Sequence, residues 1–453
     1  MALSGLDIFK LLPKTNCKKC GRPTCIAFAM QLAQKKANIE ECPSVSEEAK
    51  AALAGASAPP IRKTTLGGDG RTFAVGEETV LFRHDGKFFN PAGIAVTLDD
   101  TDDAAARKAR IEAIRKLSFI RVGLTIQADM VAVRNLSGKA EPFAAAAREV
   151  AAATKLAIAL VSDSPENMKA AVAACASRAP LIHAATPANF AAMTAIAKEH
   201  KCPIVARAAD LEALSALTPQ IKAAGVEDIL IDLTMGDLRS TIEALTIARR
   251  AALKKNFRPF GYPALIFTPR ADPFDEIAFA CSVIAKYAGV VVTSCAEPWQ
   301  ILPILTVRQN IYTDPQKPIQ VEPKLYAIRE PGKDSPVLFT TNFSLTYYSV
   351  EGEVEASRVP SWILAVDTEG TSVLTAYSGD KLNEKIVAKA LKGAKVEEVV
   401  CHRKLIIPGH VAVLSGKLEE ATGWEVLVGP KEASMLPVFL KTVWPQHAPK
   451  NLA

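Results

Sequence analysis

Eight short apolar runs, each followed by a stretch with helical spacing, fill the middle of this chain and restrict its folding more than any other feature. They are GIAVTL, MVAVRN, AIALVSD, PLIHAA, PIVARA, DILIDL, ALIFTP and VVVTSC, beginning at residue 93 and ending at residue 295. Strand and helix in regular alternation predict a parallel sheet, and eight such units over about 220 residues predict a closed (β/α)8 barrel. In such a barrel the reactive face lies at the C-terminal ends of the strands, where Asn135, Asp163, His183, Arg207 and Asp232 fall. Helix capping competes for this face. Ser164-Pro165, Thr186-Pro187, Asp272-Pro273 and Glu297-Pro298 each place a polar residue before a proline, as at a helix start. His183 therefore reads as a strand-end histidine before it reads as a functional one, and no residue is assigned as catalytic.

The flanks differ from this core. Residues 52–72 are rich in small residues, Gly and Pro and read as a linker, followed by a strand pair within TFAVGEETVLFRHDGKFF, with turns at Gly76 and Asp85-Gly86. Residues 313–336, with five prolines, read as a second linker. Beyond it the pattern alternates again: strands PVLFTTNF, SWILAVDT, EEVVCH and WEVLVG, with helices from about Ser344 and within LNEKIVAKALKGA, VAVLSGKLEEA and ASMLPVFLKTV. This predicts a small doubly wound α/β domain, in which a ligand sits beyond the carboxyl ends of the strands. The expected organisation is an N-terminal domain over 1–57, linker and strand pair over 58–92, barrel over 93–312, linker over 313–336 and α/β domain over 337–453.

The loops at that carboxyl edge carry hydroxyls, glycines and helix N-termini, which suit a large ligand bearing amides and a phosphate. The candidate contacts are Thr340, Thr346, Gly370, Thr371, Ser372, Val373, Gly429 and Ala433. Turn and N-cap duty explains the same residue types equally well. Neither G-x-G-x-x-G nor G-x-x-x-x-G-K-[ST] occurs, which disfavours a dinucleotide or a triphosphate.

Near the start, TNCKKCGRPTC sets Cys17, Cys20 and Cys25 in C-x2-C-x4-C spacing, and Cys42-Pro43 follows. Four thiolates, three close together and one distant with a following proline, fit an iron-sulfur cluster. Tetrahedral zinc is the competitor, although a second C-x2-4-C knuckle is missing. IAFAMQLAQKKANIEE between Cys25 and Cys42 reads as one amphipathic helix returning the chain to the site. Lys14, Lys18, Lys19 and Arg22 surround it, either offsetting cluster charge or offering a docking face to an acidic partner. Cys175, Cys202, Cys281, Cys295 and Cys401 read as small core residues.

With 54 basic and 48 acidic side chains the net charge is +6, and no basic run interleaved with aromatics appears, so nucleic-acid binding is not expected. The opening MALSGLDIFKLLPKTNC lacks the apolar core of a signal peptide, and no stretch reaches about 18 uncharged apolar residues, so a cytoplasmic protein is expected. In a reducing compartment clustered cysteines favour metal over disulfides.

The cysteine pattern in NCKKCGRPTCIAFAM, the barrel and the small α/β domain together resemble the large (gamma) subunit of the corrinoid iron-sulfur protein, part of the acetyl-CoA decarbonylase/synthase complex, along essentially the whole chain. The resemblance implies a methyl carrier of the reductive acetyl-CoA (Wood-Ljungdahl) pathway. A cobalamin-type corrinoid on the C-terminal domain would accept a methyl group from methyltetrahydrofolate through a separate methyltransferase and deliver it to acetyl-CoA synthase. A 4Fe-4S cluster on Cys17, Cys20, Cys25 and Cys42 would reduce Co(II) to Co(I). The implied partners are a small subunit, forming a heterodimer, the methyltransferase, acetyl-CoA synthase and a reductive activator. The D-x-H-x-x-G of many cobalamin domains is missing; the nearest stretch, Pro408-Gly409-His410-Val411-Ala412-Val413, lacks the aspartate and the final glycine in register. Cobalt without a protein histidine ligand is therefore expected, with His402 and His410 as outside candidates. Two other functions compete: a barrel that binds a pterin and transfers methyl groups itself, and an electron-transfer adaptor without corrinoid.

Overall fold

The computed structural model describes residues 5–33, 37, 39–46, 49, 59–270, 272–314 and 318–449. They form two compact units, one of residues 1–119 and 126–312, the other of residues 120–125 and 313–453. The boundary expected at residues 57 and 58 lies outside the described residues, as do residues 315–317 of the second linker.

In the first unit a short antiparallel hairpin, β1 (Thr64–Leu66) and β2 (Phe73–Val75), precedes the barrel. The strand pair expected over 72–89 is thus displaced: its first strand comes from the stretch read as linker, and residues 76–89 carry no strand. The reason is burial. Leu66 and Val75 are fully buried among the residues that fill the barrel's interior, Ala95, Met130, Ala159 and Leu230 among them. The hairpin closes the N-terminal end of the barrel. Arg71 donates to Asp129 and to the Ala128 carbonyl just before a barrel strand, and Phe73 sits where a Cβ on Gly93 would fall.

The barrel strands are β3 (Gly93–Asp99), then, after a hairpin of β4 (Ser118–Arg121) and β5 (Leu124–Gln127), β6 (Met130–Arg134), β7 (Ala157–Val161), β8 (Leu181–Ala185), β9 (Ile204–Ala206), β10 (Ile229–Asp232), β11 (Ala264–Phe267) and β12 (Ala288–Thr293). All eight expected runs are present. They pair in parallel in sequence order, and β12 closes on β3 through Val291 opposite Ile94. Side chains alternate between the interior layer and a larger core shared with the helices, as period-2 geometry requires. Most helix starts follow the expected caps: Ser164 accepts from the Asn167 amide at 3.3 Å and Asp272 from that of Phe274 at 2.9 Å. Thr186-Pro187 departs from this. It forms a turn, and the helix begins at Phe190.

The second unit is a five-stranded sheet of β13 (Leu325–Ile328), β14 (Val337–Thr341), β15 (Ser361–Val366), β16 (Lys404–Ile407) and β17 (Glu425–Val428), in the order β13-β15-β14-β16-β17. Apolar clusters cover both faces, which makes it doubly wound. Two expectations are corrected. The stretch 313–336, read as linker, contributes β13, antiparallel to β15 at the sheet edge. EEVVCH is not a strand: Val396–Val399 is one helical turn with Glu397 and Glu398 exposed, and the strand is the following Lys404–Ile407, whose Leu405, Ile406 and Ile407 are all buried.

At the N-terminus, helices Gly5–Leu11 and Cys25–Ala33 pack on a small core of Ile8, Leu12, Phe28, Ala29, Cys25 and Cys42. The helix expected over 26–41 thus begins at Cys25 and runs to Ala33; parts of its second half lie outside the described residues, and Ile39–Glu41 is a 3-10 turn. Among the described residues no helix is long and apolar enough to cross a membrane.

Candidate functional site

In the second unit the chain leaves β14 to form β15 on one side, then returns to place β16 on the other. That reversal makes a crevice between β14 and β16 at the carboxyl ends of the strands, the place where open α/β sheets bind ligands. A cavity of about 400 Å³ occupies it. Its walls are largely apolar, with Phe339, Leu345, Val373, Ile406, Ile407 and Leu436 among them, and Thr340 brings a hydroxyl.

Of the eight expected contacts, Thr340, Thr346, Ser372, Val373, Gly429 and Ala433 line this cavity, whereas Gly370 and Thr371 do not. Gly370 adopts a left-handed φ of +72° in a turn, where a Cβ would lie 2.6 Å from the Gln320 side chain. Thr371 spends its hydroxyl on the Thr368 carbonyl at 2.7 Å. Sequence reasoning missed Ile406, Ile407 and Pro408, because the strand that carries them was set several residues early.

The end of β14 is polar and buried. Thr340, Thr341 and Ser344 are at most 1% exposed, and none of their hydroxyls has a hydrogen-bond partner. A buried hydroxyl without a partner costs roughly 1–3 kcal/mol, and of these three residues Thr340 lines the cavity, so a polar group of a ligand there would have a hydroxyl to meet. Gly409 and Gly429 allow the two neighbouring loops to meet: a Cβ on Gly409 would fall 2.6 Å from the Gly429 carbonyl oxygen.

The two candidate histidines separate. His402 is buried against Trp444, its Nε2 lies 2.9 Å from the Ser335 carbonyl, its Nδ1 accepts from the Lys404 amide, and burial holds its pKa below the ordinary value. Both of its nitrogens are engaged away from the cavity. His410 is exposed and lines it.

Three of the four candidate cysteines belong to the small N-terminal core. Cys25 and Cys42 are buried in it, Cys20 packs against it, and Cys17 is exposed. Asn16 and Cys25 bond reciprocally, the Asn16 amide donating to Sγ at 3.3 Å and Asn16 Oδ1 accepting from the Cys25 amide at 2.7 Å. The backbone amide of Lys19, then the hydroxyls of Thr15 and Ser44, lower the pKa of Cys17, and Ser44 stands two residues from Cys42. Left-handed residues at Lys14, Asn16, Lys18 and Gly21 coil the loop, and two of its amides, those of Asn16 and Lys19, meet the sulfurs of Cys25 and Cys17. Among the described residues no three Cys, His, Asp or Glu side chains are placed within reach of one metal ion. Lys14, Lys18 and Lys19 are exposed, and Arg22 pairs with Glu41 at 3.4 Å. The remaining thiols behave differently. Burial pushes Cys175 and Cys202 up to about 12 and Cys295 up to about 11. Cys401, expected in the core, is instead exposed and bonds Asp334 at 2.8 Å.

At the carboxyl face of the barrel the candidate residues are used among themselves. Asn135 donates to Asp100 at 2.7 Å and accepts from Ser162 and Asn167; Arg207 forks onto both oxygens of Asp163; His183 Nε2 meets Asp232 at 2.8 Å. His183 Nδ1 is the one buried side-chain atom of this group without a partner.

Comparison with known proteins identifies the family. Residues 63–440 match the family described as the CO dehydrogenase/acetyl-CoA synthase delta subunit, and residues 12–44 match one described as "Putative Fe-S cluster". The corrinoid/iron-sulfur protein large subunit of Moorella thermoacetica is 46% identical over 97% of this chain and 99% of its own. The acetyl-CoA decarbonylase/synthase complex subunit gamma of Methanopyrus kandleri is 37% identical over 97% of both chains, and that of Methanothermobacter thermautotrophicus is 35% identical over 97% of this chain and 99% of its own. Likeness at these levels along the entire length means that this chain belongs to the family of corrinoid/iron-sulfur protein large subunits, the gamma subunits of acetyl-CoA decarbonylase/synthase.

Proposed function

We propose that this chain is a methyl carrier that holds a cobalt corrinoid at the β14/β16 crevice and a 4Fe-4S cluster on Cys17, Cys20, Cys25 and Cys42. The observation that carries the reading is the apolar cavity at the switch point, with unpartnered hydroxyls at the end of β14. A corrinoid has a large apolar ring system edged with amides and a nucleotide tail, so it suits a cavity of that character. The cysteine loop suits a cluster for a related reason: amides directed at sulfur stabilise thiolates.

When bound, the corrinoid supplies a cobalt centre that accepts and releases a methyl group, and the cluster supplies the electron that returns oxidised cobalt to Co(I). The chain's own residues hold and shield. Phe339, Val373 and Ile407 give the cavity apolar walls, Thr340 offers a hydrogen bond within it, and the glycines at 409 and 429 let the two flanking loops approach closely. The sequence around His410 lacks the aspartate with which D-x-H-x-x-G orients its histidine, so cobalt is read as lacking a protein histidine. The methyl group would come from methyltetrahydrofolate through a separate methyltransferase and pass to acetyl-CoA synthase. A small subunit would complete a cytoplasmic heterodimer, with a reductive activator as further partner.

The test is cobalt, iron and acid-labile sulfide content, with the visible spectrum, of protein co-expressed anaerobically with its small subunit and supplied with corrinoid. About four irons and one cobalt per chain are expected. Iron without cobalt would leave an electron-transfer adaptor, and methyl transfer by the isolated chain would favour the pterin-binding barrel.

A further inference from the structure

Loop Asp367–Ser372 leads from β15 into the cavity wall, where Ser372, Val373 and Leu374 line the space. What fixes this loop is a side chain that does not touch the cavity. Asn342, fully buried just beyond β14, makes five hydrogen bonds. Its Oδ1 accepts from the Thr368 amide at 3.0 Å, the Thr368 hydroxyl at 3.2 Å and the Gly370 amide at 3.1 Å. Its Nδ2 donates to Asp367 Oδ1 at 3.1 Å and Gln320 Oε1 at 3.2 Å. Its backbone also joins three segments, donating from N–H to Val366 and accepting from the Val321 amide.

No other residue type of this size presents acceptor and donors together in the required directions. Leucine would orphan two amides, and aspartate would set a second carboxylate against Asp367. The loop's other ties sit at the edges: the Glu369 amide donates to Asp367 Oδ1 at 3.0 Å, Glu369 pairs with Lys381, and Val373 is buried in the core. Thr368 and Thr371 bond mainly to each other, and the following helix, Val373–Ser378, is short and receives no side-chain cap from Ser372. Gly370 and Thr371, which stand outside the cavity lining, belong to this clamp.

We propose that Asn342 is a positioning residue for the cofactor cavity: by clamping the Thr368–Gly370 turn it sets Ser372, Val373 and Leu374 against the bound group. The inference rests on the corrinoid reading given above and names the residue that pre-forms the site. A wall fixed before binding spares the ligand the cost of ordering it.

The experiment compares cobalamin binding, by equilibrium titration of the cofactor-free heterodimer, in the unaltered protein, Asn342→Asp, and the exchange Asn342→Asp with Asp367→Asn. Hydrogen exchange at the Gly370 amide is followed in each. Asn342→Asp is expected to bind roughly tenfold or more weakly, the scale of a lost buried hydrogen-bond set, and to lose protection at Gly370. The exchange restores one donor and one acceptor between positions 342 and 367, so both affinity and protection should return to within about threefold of the unaltered values. Unaltered affinity in Asn342→Asp, or an exchange that restores the unfolding temperature but not affinity, would overturn the proposal. Failure of the unaltered protein to bind cobalamin would instead overturn the corrinoid reading.

Discussion

The barrel and the C-terminal α/β sheet both present parallel strands whose carboxyl ends form the customary ligand edge, yet they use that edge in opposite ways. At the barrel, Asn135, Asp163, Arg207 and Asp232 find partners on neighbouring loops, and only His183 Nδ1 is left over. At the sheet, Thr340, Thr341 and Ser344 are left without partners beside a cavity of about 400 Å³. A polar edge satisfied by itself is a scaffold. One that leaves buried hydroxyls unmade is stabilised when something else supplies the bonds. The difference teaches that position in a fold nominates a site, and hydrogen-bond satisfaction decides it.

Four experiments could break or sharpen that contrast. The largest effect belongs to the closed end of the barrel, where Asp129 receives Arg71, Arg308 and the Ile94 amide. Asp129→Ala leaves two cations short of their partner and should cost about 3–5 kcal/mol in denaturant unfolding, with cobalt per folded chain unchanged. Loss of cobalt at unchanged stability would undo the division of labour. Next is Thr346→Trp, which fills the cavity from the helix beside it and should weaken cobalamin binding by at least about tenfold. His183→Gln in the barrel should leave that affinity alone.

Thr340→Val is smaller and more discriminating. It removes an unpartnered hydroxyl at nearly constant shape, so the cofactor-free protein should be unchanged or gain about 1 kcal/mol, while cobalamin binding weakens by about tenfold. If both fall together, the hydroxyl serves the fold and the cavity argument loses its polar half.

The smallest effect is pH-dependent. Burial alone would raise the pKa of Asp232, but the hydrogen bond and charge of His183, with the bonds from Thr234, hold it below the ordinary value. A depressed carboxylate adds stability above its unfolded pKa, about 3.9, and loses that contribution as pH falls through the folded value. Acid unfolding below about pH 4 should therefore flatten in Asp232→Asn. Cobalamin affinity at neutral pH should not change.

Much of this was legible in the residues themselves. All eight barrel runs formed strands because every one is apolar enough to be covered on both faces, a local property that tertiary packing had no reason to overrule. The errors lie where local pattern and packing disagree. EEVVCH has the β-branched residues of a strand, yet its glutamates need solvent and the neighbouring Leu405-Ile406-Ile407 fills the sheet better. β1 and β13 lie in stretches whose Gly and Pro spelled linker, and each is a strand because a partner strand offered backbone bonds. Gly370 and Thr371 stand in a turn outside the cavity lining, and Asn342, which holds that turn, gave no signal at all because a lone Asn between strand and helix has many ordinary duties.

By itself the sequence determined the barrel's strand count, the doubly wound character of the C-terminal unit and the cysteine spacing, since apolar periodicity and ligand spacing are written residue by residue. Only the tertiary structure decided that the reversal around β14 opens a cavity, that the hydroxyls of Thr340, Thr341 and Ser344 stay unpaired, and that His402 points away from it while His410 lines it. Those outcomes depend on which polar atoms meet across segments far apart in the chain, and hydrogen-bond satisfaction is a property of that meeting, not of either segment alone.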